Sequence, residues 1–214
     1  MKLEWMGHAS FLLTAADGTR ILTDPYDESV GIAMHRVQAD LVTMSHEHHD
    51  HNYTDMLDGN PLIVHGLDGV ELSGVKSQAV GSWHDEAHGA MRGPNAIRVF
   101  EMEGLKIFHM GDQGCMPSEA VMQAIAGADV MMIPVGGTYT VDARGAKAII
   151  EEAKPRCVIP MHFKTAHCVY GIAGVEPFLA VMGAENVQPV QTLELAAECV
   201  PEGVVLMSCR GEKR

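Results

Sequence analysis

Four of the seven residues from Ser45 to His51 are histidine, in the order Ser45-His46-Glu47-His48-His49-Asp50-His51. Imidazole nitrogen and carboxylate oxygen without thiolate are ligands that zinc accepts at roughly 2.0–2.2 Å. His46 and His48 are two residues apart, so on a locally extended chain they point the same way and chelate one ion. Asp50 and His51 lie just beyond and turn back towards a second ion. Neither pair fills a tetrahedral shell, so residues from elsewhere must complete both. His84, Asp112 and His162 are the natural recruits, and Asp112 can bridge two ions through its two oxygens. The chemistry such a centre performs is metal-assisted hydrolysis, in which paired ions lower the pKa of a shared water from about 15.7 towards 7.

The elements that must carry these residues are short apolar runs separated by Gly, Pro, Asp and Asn. Phe11 to Thr14 and Arg20 to Thr23 read as a hairpin with Asp17-Gly18 at its turn. Leu41 to Met44, Leu62 to His65, Asp129 to Val135 and Cys157 to Met161 read as strands. Asn95 to Met102 and Leu105 to Met110 form a second hairpin about Glu103-Gly104. Ser118 is a helix N-cap ahead of Val121, Met122 and Ile125. Asp142 caps a helix with Ala146, Ile149, Ile150 and Ala153 on one face and Pro155 as its stop. A third helix spans about Val175 to Met182. The order strand 129–135, helix, strand 157–161 predicts a parallel β-α-β unit, and the whole pattern an α/β fold of mixed sheets covered by helices. Several strands end at a ligand type: Asp24, His46, His84, Asp112 and His162. Ligands collect beyond the carboxyl ends of strands in such sheets.

The chain has 214 residues with 47% hydrophobic and 20% charged, which suits one domain, residues 1–214. Its formal charge of −13 opposes phosphate backbones, so no nucleic-acid partner is expected. Five Cys without a CxxC pair suggest reduced thiols in a cytoplasmic protein. Glu4 and His8 interrupt the only candidate leader, and no apolar run reaches the roughly 18 residues of a membrane span.

The ordered set Thr23-Asp24-Pro25, His46-Glu47-His48-His49-Asp50-His51, Ser82-Trp83-His84-Asp85, Gly111-Asp112-Gln113-Gly114 and Pro160-Met161-His162-Phe163 resembles the metallo-β-lactamase superfamily, whose hallmark is H-x-H-x-D-H. Gly7-His8-Ala9-Ser10 and Arg92-Gly93-Pro94-Asn95 further resemble its small bacterial metal-dependent hydrolases, related to ascorbate-6-phosphate lactonase and phospholipase D-like enzymes acting on N-acyl phosphatidylethanolamines. The resemblance implies a four-layer αββα sandwich with the site on one edge between the sheets. It implies that His46, His48 and His84 hold one metal, that Asp50, His51 and His162 hold the other, and that Asp112 bridges them. Asp24 would support the site by hydrogen bonds. The implied cofactor is two zinc ions, with manganese or iron as alternatives, and the implied substrate is a small molecule with an ester, lactone, amide or phosphodiester bond. Asp50 and Asp112 are the expected catalytic carboxylates.

Flavodiiron oxygen reductases of this superfamily have Glu where His48 stands, so His48 favours hydrolysis over redox chemistry. A mononuclear iron persulfide dioxygenase-like enzyme and a non-catalytic metal-binding regulatory protein are the alternative readings. His8, Arg92, Asn95, Tyr139 and Lys164 are supporting or substrate-contact candidates. Arg92 and Asn95 either clamp an anionic group or pin the loop that carries His84. His88 competes with His84 for the ligand role, and His84 is preferred because it directly follows an apolar run. His109 and His65 read as structural core histidines, and His167-Cys168 as an ordinary loop.

Overall fold

The protein is described by a computed structural model over residues 1–210. Two mixed sheets make up most of it. The first has six strands in the order Thr192–Glu194, Lys2–Gly7, Ser10–Thr14, Arg20–Thr23, Leu41–Met44, Leu62–His65. Its first four strands pair antiparallel, and the last two join in parallel. The second has seven strands in the order Gly203–Val204, Cys157–Met161, Val130–Pro134, Leu105–His109, Pro94–Met102, Val75–Trp83, Val70–Leu72. There the parallel half comes first, and antiparallel hairpins close the other edge. A two-stranded ribbon of Val37–Gln38 and Leu57–Asp58 stands apart.

Both sheets turn apolar faces into one hydrophobic cluster that includes Trp5, Phe11, Leu22 and Leu41 from the first and Phe100, Phe108, Met131 and Ile159 from the second. The strands Leu41–Met44, Val130–Pro134 and Cys157–Met161 are buried along their whole length, as parallel strands covered on both faces should be. The β-α-β unit forms as predicted, with Val130–Pro134 parallel to Cys157–Met161.

Among the described residues the three α-helices are α1 (Glu119–Ile125), α2 (Ala143–Ala153) and α3 (Glu176–Met182). Ser118 caps α1 by accepting from the Val121 amide, and Asp142 caps α2 by accepting from those of Arg144 and Gly145. Ala146, Ile149, Ile150 and Ala153 form the buried stripe of α2. The helix ends one residue ahead of Pro155, at Lys154 in the left-handed region with φ 51°. All three helices lie after residue 118; among the described residues before it, the only helical turn is the 3-10 segment Glu28–Val30. The layered α/β sandwich is therefore present, with its helical cover concentrated in the C-terminal half.

Besides the short strands Val37–Gln38, Leu57–Asp58, Val70–Leu72, Thr192–Glu194 and Gly203–Val204, two longer ones exceed the sequence reading. Val75–Trp83 runs for nine residues where apolar content marks only the last four, because Lys76 and Gln78 face out while Val75 and Ser77 are buried. Lys2–Gly7, which the sequence reading leaves without an element, pairs on both sides, with Leu3 and Trp5 turned inward.

Candidate metal centre

Six chain segments bring His or Asp to one edge between the sheets. Each follows a strand: His8 after Lys2–Gly7, Asp24 after Arg20–Thr23, the His46–His51 turn after Leu41–Met44, His84 after Val75–Trp83, Asp112 after Leu105–His109, and His162 after Cys157–Met161. His8, Asp24 and His162 take φ values of 52°, 40° and 50°, a left-handed conformation that is uncommon outside glycine. Three such residues at three strand ends concentrate backbone strain at this edge. The close fit extends to Gly136, where a Cβ would lie 2.3 Å from the His162 carbonyl oxygen. Only glycine lets that backbone pass.

The side chains form two separate groups, and a third of Asp24, His46 and His51 overlaps both. His46, His48 and His84 offer ligand atoms within 4.8 Å of one another, with His46 Nε2 2.9 Å from His48 Nδ1. His8, Asp50, His51 and His162 form the second group, with His8 Nε2 3.2 Å from Asp50 Oδ2. Asp112 joins the two: its Oδ2 lies 3.3 Å from His51 Nε2, 3.2 Å from His84 Nε2 and 3.4 Å from His162 Nε2. Beneath them Asp24 accepts from His51 Nδ1 at 2.8 Å, from the Ser45 amide at 2.8 Å and from the Ser45 hydroxyl at 2.5 Å.

The electrostatics are those of a site built for cations. Burial raises the cost of ionising Asp112, yet His162 and His51 hold its carboxyl well below the usual range. Burial likewise opposes the charged form of His51, but Asp112 and Asp24 raise its pKa well above 6.5. Burial and the neighbouring His162 lower His8 to about 4, and burial and His51 lower His46 to about 3, so both favour the neutral imidazole. His51 Nε2 and Asp112 Oδ1 are fully buried and have no hydrogen-bond partner. Buried polar atoms are rarely left so. A nitrogen and oxygen donor set with orphaned atoms facing one another fits a divalent metal.

The remaining predicted residues separate clearly. Asn95 is buried, donates Nδ2 to the Met110 carbonyl and accepts the Asp112 amide at 3.0 Å, so it fixes the loop that presents Asp112. Arg92 reaches the Thr138 carbonyl at 3.3 Å and stacks over the Tyr139 ring at 5.7 Å, at the mouth of a cleft of about 310 Å³ that contains Asp50, Asp112 and His162. Tyr139 lines the same cleft. Lys164 instead donates to the Tyr170 carbonyl on the surface and does not line the cleft. His88 lies outside both ligand groups, its ring edge-on to Trp83 at 6.2 Å. His109 is a satisfied core histidine, 2.6 Å from the Ala9 carbonyl. His65 departs from its expected core role: it is exposed and pairs with Glu47 at 2.9 Å, because it closes an edge strand.

Two contributors escape the sequence reading. Asp85 accepts the backbone amides of Ala87, Gly89, Met91 and Arg92, folding the loop that carries Arg92 around one carboxylate. The sequence marks it only as the last residue of Ser82-Trp83-His84-Asp85, without this role. Tyr170 packs edge-on to the His8 ring at 5.7 Å and lines the cleft. Nothing near it in the sequence marks this position.

Residues 2–162 match the model of the β-lactamase superfamily domain. A metal-dependent hydrolase from Methanospirillum hungatei is 30% identical over 188 residues, covering 77% of this chain and 84% of that one. One from Thermococcus onnurineus is 29% identical over 195 residues, covering 77% and 85%. A Thermotoga maritima protein of known structure, described as a candidate zinc-dependent hydrolase of the metallo-β-lactamase superfamily, superposes with a TM-score of 0.79 at 34% identity, covering 96% of this chain and 97% of its own. With the fold, the edge site and these matches in agreement, the chain belongs to the β-lactamase superfamily, among relatives that bear the name metal-dependent hydrolase.

Proposed function

We propose that this protein is a two-metal hydrolase, with zinc as its resident ion, acting on an ester, lactone, amide or phosphodiester bond of a small substrate in the cytoplasm. His46, His48 and His84 would hold the first ion; Asp50, His51 and His162 would hold the second; Asp112 would touch both. One observation carries the reading: a single Asp112 oxygen lies 3.2–3.4 Å from a nitrogen of His84 in the first group and of His51 and His162 in the second. The all nitrogen and oxygen donor set suits zinc. When bound, such a pair supplies an activated water and an electrophilic centre for a carbonyl or phosphoryl oxygen.

The protein's own side chains do the rest. Asp24 fixes the His51 ring through Nδ1, which leaves Nε2 beside Asp112, where it would hold an ion. His8 holds Asp50 at the cleft wall, where the Asp50 carboxylate can take the proton lost by the attacking water. Arg92 and Tyr139 frame the cleft entrance and orient the substrate. No helix among the described residues is long and apolar enough to cross a membrane.

Metal analysis of the purified or reconstituted protein should find close to two equivalents, mostly zinc. Asp112→Ala should lose at least one equivalent together with hydrolytic activity across lactone, thioester, ester and phosphodiester substrates. No transition metal after reconstitution, or full activity in Asp112→Ala, would remove the reading. Iron content with oxygen consumption would select the dioxygenase alternative instead.

A further inference from the structure

A second hollow of about 520 Å³ opens directly beside the metal centre, within the size range of small-molecule sites. It shares His48 and Arg92 with the smaller cleft, so the two adjoin. Its lining is of another kind. Leu67 and Trp83 line it and are 63% and 41% exposed, and Pro94 lies beside Trp83 on the paired strand. Gly81 and Ala96, which face each other across neighbouring strands, form a floor without bulk. Glu47 at the rim is already paired with His65.

Leu67 and Trp83 are held in place. Fully buried Arg98 donates to the carbonyls of Gly66 and Asp68 at 2.6 Å each, gripping the chain on either side of Leu67. Trp83 ends the strand Val75–Trp83, and His88 from the loop folded around Asp85 lies edge-on to its indole. Exposed Leu and Trp set rigidly about a gap that opens on a reactive centre form a subsite.

We propose that the substrate carries an apolar alkyl or aryl substituent that lies between Leu67 and Trp83 over Gly81, while its scissile group faces the His/Asp cluster. This rests on the hydrolytic reading above and adds the class of substrate. A Cβ on Gly81 would meet the Leu67 methyls at 3.6 and 3.7 Å, an ordinary contact, so only a side chain as large as leucine must displace Leu67 or enter the groove.

The test uses zinc-reconstituted full-length protein and straight-chain hydroxamates from acetohydroxamate to octanohydroxamate, with binding read by calorimetry. The hydroxamate head seeks the metals and the tail reports on the groove. Affinity should rise about fourfold per added methylene until the groove is full. In Gly81→Leu the gain of octanohydroxamate over acetohydroxamate should shrink to a small fraction of the wild-type gain. Trp83→Ala, which removes a wall rather than filling the floor, should also reduce it. Acetohydroxamate binding with no gain from the longer tails overturns the subsite and leaves the metal reading standing. So does a wild-type gain that both variants retain. A protein that binds no hydroxamate, acetohydroxamate included, overturns the metal reading and the subsite with it.

Discussion

Asp24 accepts three hydrogen bonds, from His51 Nδ1, the Ser45 amide and the Ser45 hydroxyl, and so holds the His46–His51 turn to the end of the neighbouring strand. Burial disfavours its charge, but His109 and His51 keep its carboxyl low, at about 2, so it is an acceptor throughout the neutral range. Partners of this kind set the tautomer of a ligating imidazole, and losing one typically costs about 10–100-fold in metal affinity. Asp24→Asn keeps the size but turns an amide NH₂ towards one of these donors. Its zinc affinity, read by competition with a chromophoric chelator, should fall by about that factor; an unchanged affinity would show that Asp24 serves only the fold. At this scale the sequence was informative where spacing is local: the His46–His51 turn and the strand-end Asp24, His84, Asp112 and His162 could all be picked out. His8 reads as a supporting residue without a partner, because Asp50 is 42 residues away and only the fold brings the two together. Asp85 works through backbone amides, which leave no mark on side-chain type.

The strands and loops that present the ligands approach so closely that some positions admit no side chain. At Gly114 a Cβ would lie 2.1 Å from both the carbonyl carbon and oxygen of His84 and 2.6 Å from the Asp85 nitrogen. The amide of Gly114 also donates to the Trp83 carbonyl at 3.0 Å, so the Asp112 loop and the His84 strand end are joined at this point. Gly114→Ala must push His84 away from His46 and His48. It should bind one equivalent of metal less than the wild type and lose about 1–3 kcal/mol of stability, as overpacked sites do. Gly171→Ala is the matched comparison, with open space around it, and should stay within about 0.5 kcal/mol. Equal behaviour of the two variants in metal titration and denaturant unfolding would refute the account. The helices were legible as elements because Ser118 and Asp142 combine a cap with an apolar stripe. The strand Val75–Trp83 was legible only at its end, since alternating Lys76 and Gln78 read as loop until a partner strand covers the inner face.

Over the whole molecule, negative charge exceeds positive by 13, and the edge site adds to that imbalance where water is scarce. Asp24 and Asp112 are buried, Asp50 is half-buried, and all three keep low pKa values. In the metal-free protein Asp112 opposes the charge of Asp50, and Asp24 and Asp112 rely on His51, whose own charge burial opposes. Divalent ions relieve both conflicts, and they bind the folded arrangement far better than an unfolded chain in which six segments are scattered. Stability is therefore linked to free metal by mass action, rising by about 4 kcal/mol when zinc is 1,000-fold above its dissociation constant. For a chain of this length each kcal/mol moves the melting temperature by about 2–4 °C, so full chelation should lower it by roughly 8–16 °C from that state. The shift should follow the logarithm of free zinc and reverse when zinc is restored. Differential scanning calorimetry across a series of zinc buffers checks this. A melting temperature indifferent to zinc over that range would mean that the edge site holds no ion, whatever its geometry suggests.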